Sequence, residues 1–152
     1  MNDMNGSVRI VISDAGYEVP IENRPLWRLL MLCLCIKLLS SDGIGLPTAK
    51  IRAGSWMVLR PARWHEYKDF LFGYSDESPK VMPDSNVDRA IQIGIAKGYF
   101  SMSDSGRIEL MPMGKSLIEL AEKVDVASAE REFLQDIKSK LTDKVVKSII
   151  WG

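Results

Sequence analysis

The run Leu29-Leu30-Met31-Leu32-Cys33-Leu34-Cys35-Ile36 constrains this chain more than any other stretch. Eight consecutive apolar side chains, bounded by Arg28 and Lys37, leave no polar face at either a helical or an alternating period. A membrane span needs roughly 20 apolar residues, so the run is too short to cross a bilayer. It reads instead as a helix that neighbours must cover on several sides. A chain of 152 residues can supply that cover, since one of about this length buries roughly two thirds of its unfolded surface. The spacing predicts a helix from Arg24-Pro25 to about Ser40. Asn23 is placed to cap it, Pro25 suits the first turn, and Ser41-Asp42-Gly43-Ile44-Gly45 stops it. On such a helix Cys33 and Cys35 point about 200° apart, so they neither bridge each other nor share a metal. Two thiols, and a polar Met1–Ser7 start with no apolar leader, fit a reducing cytoplasm.

The remaining chain divides at its punctuation. Val8, Ile10 and Ile12, then Asp14-Ala15-Gly16, then Tyr17 and Val19, predict a β-hairpin that Pro20 ends. Leu46 is a short extended position, and Pro47 opens a second helix to about Leu59. Pro61 opens a third, with Trp64, Tyr67, Phe70 and Leu71 at helical spacing. Gly73 to Met82 is a polar, mobile linker. Asp84 or Ser85 caps a fourth helix, whose inward face is Val87, Ala90, Ile91, Gly94 and Ile95, with Gly98 closing it. Tyr99 to Met102 and Arg107 to Leu110 alternate as strands around the Asp104-Ser105-Gly106 turn. Gly114 starts a fifth helix through Leu117, Leu120 and Ala121. Ser128 to Gly152 is helical, with a break expected at Thr142-Asp143. The resulting class is mainly α with a small β component.

The order from Asp84 to Val124 is helix, glycine, aromatic strand, Asp-Ser-Gly turn, strand and a Pro/Gly-started helix. This is the order of a recognition helix followed by a two-stranded wing. The stretch Gly98-Tyr99-Phe100 through Leu110-Met111-Pro112-Met113-Gly114-Lys115 resembles the ending of many winged-helix proteins, with Met111 where Thr is usual. The fold expected is therefore a winged helix-turn-helix with an N-terminal β-hairpin and a C-terminal helical extension. Its parts are a hairpin over 1–22, a winged-helix-like domain over 23–125 and an extension over 126–152.

A second resemblance rests on Arg24-Pro25-Leu26-Trp27-Arg28-Leu29 opening an apolar helix, on the Gly-Ile-Gly-Leu loop after it, and on Lys50, Ile51 and Trp56 in the next helix. Over roughly residues 20–125 the chain resembles the middle component of three-component ABC ATPase systems, the Lamassu type of anti-phage defence. That resemblance implies a non-enzymatic adaptor between a coiled-coil SMC/Rad50-like ATPase and an effector such as a nuclease. DNA would be met through the complex. It implies no catalytic motif, no metal and no cofactor.

Charge bears on the competing reading, a winged-helix DNA-binding transcriptional regulator. Lys plus Arg number 20 and Asp plus Glu number 20, whereas a domain held by counterion release shows a basic excess. Arg89, Gln92 and Lys97 would point outward from the recognition helix, where Arg and Gln can read base edges. Asp84, Asp88, Asp104 and Glu109 offset them. His65 is the single histidine and has no Ser, Cys or metal-ligand companion. Gly43-Ile44-Gly45 lacks the further glycine and the Lys-Ser/Thr of a phosphate loop. Asp76-Glu77 sits in the polar linker. At the chain's end, Val145, Val146, Ile149, Ile150 and Trp151 crowd large apolar groups into eight residues. They either fold back on the first helix or dock on a partner, with Val146, Ile149, Ile150 and Trp151 as the docking candidates.

Overall fold

The computed structural model describes residues 24–41 and 44–151. The hairpin expected over Val8–Val19 lies outside the described residues, as does the Asn23 cap.

The chain is mainly helical around a small sheet. Seven α-helices are described: α1 (Pro25–Leu39), α2 (Thr48–Val58), α3 (Trp64–Leu71), α4 (Ser85–Ala96), α5 (Pro112–Lys123), α6 (Ser128–Ile137) and α7 (Asp143–Ile149). Three strands accompany them: β1 (Leu46–Pro47), β2 (Phe100–Met102) and β3 (Arg107–Leu110). The sheet is antiparallel in the order β1-β3-β2, with Leu46 opposite Ile108, and Phe100 opposite Leu110.

Helix α1 is the axis of the molecule. Arg24 enters it extended, and Pro25 occupies the first turn, where a missing N–H costs nothing. Leu29 through Ile36 are buried without a break, which happens only when a helix is enclosed on all sides. Helices α2, α4, α5 and α6 and strand β3 supply the enclosure. The two cysteines face opposite walls. A Cβ added at Gly54 of α2 would lie 3.3 Å from the Cys35 sulfur, and one at Gly114 of α5 would lie 3.4 Å from the Cys33 sulfur. Small groups on both sides of each contact let the helix backbones approach closely.

Local signals explain the ends of α4. The Asp84 carboxylate accepts from the Asn86 backbone N–H at 2.9 Å. At the far end Gly98 takes a φ of +84°, the Tyr99 N–H reaches the Gly94 carbonyl, and the Gly98 N–H reaches that of Ile95. These two bonds satisfy carbonyls the helix leaves open.

Two boundaries differ from the sequence reading. Helix α5 begins at Pro112, two residues before Gly114. Proline is at home in a first turn, and Gly114 is needed for another reason: its Cα packs against the Tyr99 carbonyl. Pro61 opens a short 3-10 turn, Pro61–Arg63, ahead of α3. The linker is also tied down near its end. Val81 is buried and forms a parallel bridge with Ile150, its N–H donating to the Ile149 carbonyl and its carbonyl accepting from Trp151, both at 2.8 Å.

The C-terminal helices join the same core. Phe133 and Leu134 of α6 are buried, and the Phe133 ring stacks on Trp64 at 4.6 Å between centroids. The Trp64 indole N–H in turn donates to the Met57 carbonyl. Thr142 caps α7 by accepting from Val145, and α7 packs on α2.

Candidate interaction surfaces

Helix α4 lies against α1 and β2, with Val87, Ala90, Ile91 and Gly94 turned inward. Arg89 and Gln92 on this helix, and Lys97 just past its end, are exposed. The two carboxylates near its start do not stand alone. Asp88 pairs with Arg52 of α2 at 2.9 Å, and Asp84 pairs with Arg28 of α1 at 3.6 Å. The first ties α4 to α2, and the second ties the residue that caps α4 to α1.

Strands β2 and β3 form a hairpin closed at Ser103–Gly106. The Ser103 N–H donates to the Arg107 carbonyl at 2.8 Å, and Gly106 adopts a φ of +80°. Around this hairpin the exposed side chains include Met102, Met111, Met113 and Lys115, with Asp104 and Ser105 at its tip. Met113 stands beside the turn that ends α4, since a Cβ at Gly98 would lie 3.7 Å from its sulfur. In the sequence Met111-Pro112-Met113 reads only as a helix start. The period of a helix reports which side chains share a face, and one turn is too short to report exposure.

The C-terminal candidates separate. Val146 and Ile149 are 3% and 1% exposed within the chain's own core, which corrects their assignment as partner-facing residues. Their faces are spent on α2. Ile150 is half-buried beside Val81. Trp151 is 54% exposed, with the Lys80 ammonium 5.5 Å from the ring centre.

The remaining candidates are solvated or inert. His65 is on the surface of α3, 3.3 Å from Asp69 one turn on. Asp76 and Glu77 are exposed. Among the described residues no three His, Cys, Asp or Glu side chains gather in a group able to hold a metal. Among those same residues, no helix is long and apolar enough to cross a membrane. Burial pushes the Cys33 thiol up to about 12 and raises Cys35 as well, with Cys33 beside it adding to the shift. At pH 8 a thiol near 12 has about a thousandth of the thiolate of an ordinary cysteine, whose pKa is about 8.5–9. Alkylation of the native chain is therefore expected to be at least ~1000-fold slower than in denaturant. A labelled cysteine within minutes under native conditions would show that α1 is not enclosed.

Comparison with family models, with curated proteins and with solved structures gives no match for this chain.

Proposed function

We propose that this chain is a non-enzymatic adaptor subunit built on a winged-helix core. It would link an SMC/Rad50-like ABC ATPase to an effector in a bacterial anti-phage defence complex in the cytoplasm. The winged-helix part of this reading is supported by connectivity. A helix leads into a short strand, further helices follow, and a hairpin then returns so that its second strand sits between the other two. In that scheme α4 is the recognition helix and β2–β3 the wing.

The observation that carries the adaptor reading is the chemistry of that wing. Met102 of the wing is exposed, and so are Met111 and Met113 where α5 begins beside it, next to the exposed Lys115. Thioether side chains are polarizable and adapt to irregular apolar partners, while they offer nothing to a phosphate. Trp151 adds an exposed aromatic of the kind that anchors interfaces.

The regulator reading keeps one observation in its favour, the exposure of Arg89, Gln92 and Lys97 along α4. Binding separates the two. The purified chain is expected to shift duplex DNA only weakly and without sequence preference, no tighter than the roughly 10⁻⁴–10⁻⁶ M of non-specific binding at physiological salt. Nanomolar affinity for one sequence, lost in Arg89→Ala and Gln92→Ala, would establish the regulator instead. In parallel, the chain is expected to co-purify with an SMC/Rad50-like ATPase encoded in the same gene neighbourhood. Met113→Asp with Trp151→Asp should abolish that capture while leaving the circular dichroism spectrum unchanged. Capture undiminished in the double variant would place the interface elsewhere and remove the support drawn from these side chains.

A further inference from the structure

Residues 138–147 carry four lysines and one acid, in a chain whose basic and acidic groups number 20 each. Lys138 and Lys140 stand in the turn between α6 and α7, and Lys144 and Lys147 stand on α7. We propose that this basic surface takes the phosphate backbone of duplex DNA, without reading its sequence.

The lysines sit on a fixed frame. The Lys140 and Leu141 N–H groups both donate to the Ile137 carbonyl, and the Leu141 side chain is fully buried. Thr142 caps α7, and Val146 and Ile149 hold its inner face against α2. Lys144 and Lys147 are three residues apart, so they share the outer face, about 4.5 Å apart along the axis.

Local acids do not neutralise them. Asp143 pairs with Lys50 of α2 at 3.8 Å, which brings a fifth cation beside the stretch, and Asp136 pairs with Lys68 at 2.8 Å. Among the described residues Lys138, Lys144 and Lys147 have no ion pair, and Lys140 has the Phe72 ring 5.8 Å away. Like charges one turn apart on a helix repel. Binding a polyanion relieves that repulsion and releases the polymer's counterions.

The neighbours of the lysines identify the partner. From 138 to 148 the other exposed side chains are Ser139, Thr142, Asp143 and Ser148. Lysines and hydroxyls are what contact phosphate oxygens on a duplex. Protein interfaces are poor in Lys and Ser and rich in aromatic, Met and Arg side chains, and the stretch has none of these three. A helix that lies on a membrane inserts an apolar face, and that of α7 is spent on α2. Without an aromatic the stretch offers no platform for an unpaired base, and without arginine no fork for a base edge. Those absences leave backbone contact with a duplex. The proposal goes beyond the adaptor reading, because it gives the chain a DNA contact of its own, on α7 and not on α4.

Two variants that lose equal charge test it in the full chain: Lys144→Gln with Lys147→Gln, against Arg89→Gln with Lys97→Gln. All four side chains are exposed, and circular dichroism checks that each variant stays folded. Binding is read by fluorescence anisotropy on a duplex DNA of arbitrary sequence, from about 50 to 200 mM salt. The α7 pair is expected to weaken binding at least ~10-fold at the low-salt end. It should also lower the slope of log K against log salt by about 2, at roughly 0.9 per lost phosphate contact. The α4 pair should leave both nearly unchanged. Lys138→Gln with Lys140→Gln repeats the test in the turn, outside α7. Equal losses in the α7 and α4 pairs would show that binding follows net charge, and a larger loss in the α4 pair would put the DNA on α4. Either overturns the proposal, as does a parent chain that binds no duplex at about 50 mM salt. Poly-glutamate or phosphatidylserine vesicles bound as tightly as the duplex would assign the surface to an acidic protein or a membrane, and overturn it as well. Capture of the ATPase is measured separately, through Met113 and Trp151, so either reading can fail alone.

Discussion

A chain that stops at Thr142 is expected to melt about 10–20 °C below the full chain, because it loses roughly 3–6 kcal/mol of apolar burial. The figure comes from two side chains. Val146 and Ile149 are almost wholly withdrawn from water, and a fully buried side chain of this size contributes about 1.5–3 kcal/mol. Val145 and Ile150 add partial burial. Removing α7 also uncovers the face of α2 it packs on and takes away the two backbone bonds that hold Val81. Against a whole-domain stability of about 5–15 kcal/mol this is a large fraction. Thermal melting followed by circular dichroism measures it. A truncated chain that melts within a few degrees of the parent would show that α7 is an appendage and not part of the core.

Gly94→Ala should destabilise by about 1–3 kcal/mol, contrary to the usual gain of up to about 1 kcal/mol for this change inside a helix. The reason is the neighbour across the gap. An alanine Cβ at position 94 would collide with Cε2 and Cζ of the Phe100 ring. The ring is 1% exposed and cannot swing into solvent. Either Phe100 leaves its place on β2 or α4 backs away, and both disturb the junction of α4 with the hairpin. Phe100→Leu in the Gly94→Ala background should recover part of the loss. In a double-mutant cycle that appears as a coupling of about 1 kcal/mol or more. A rise in melting temperature for Gly94→Ala alone would show that α4 and Phe100 are not packed this closely.

Much of this architecture is legible from residues alone. The unbroken run Leu29–Ile36 demands an enclosed helix, and α1 is one. Asp84, Gly98 and Thr142 are readable as α4's cap, α4's stop and the break between α6 and α7, because caps and stops act over three or four residues. The pairing of β1 with β3 is not readable. It joins Leu46 to Ile108 across some sixty residues through two-residue contact, and no local pattern encodes it. The C-terminal stripe shows a different limit. Periodicity identifies Val146 and Ile149 as sharing an apolar face, yet the same period serves a face turned to α2 and one turned to another molecule. The exposed methionines escape notice for the reverse reason. Burial is decided by the fit of distant elements, and methionine is at home on either side of a surface.

The central position of α1 also has a cost during biosynthesis. Its apolar run leaves the ribosome before all the helices that cover it are made, with the end of α6, Ile137, about a hundred residues behind Ile36. At about 5–20 residues per second, Leu29–Ile36 waits for roughly 5–20 s before α6 exists to close over it. For that interval the nascent chain carries an uncovered segment of eight apolar residues, the kind of sequence that chaperones hold. Until then α1 stays open on the side that α6 covers in the finished chain.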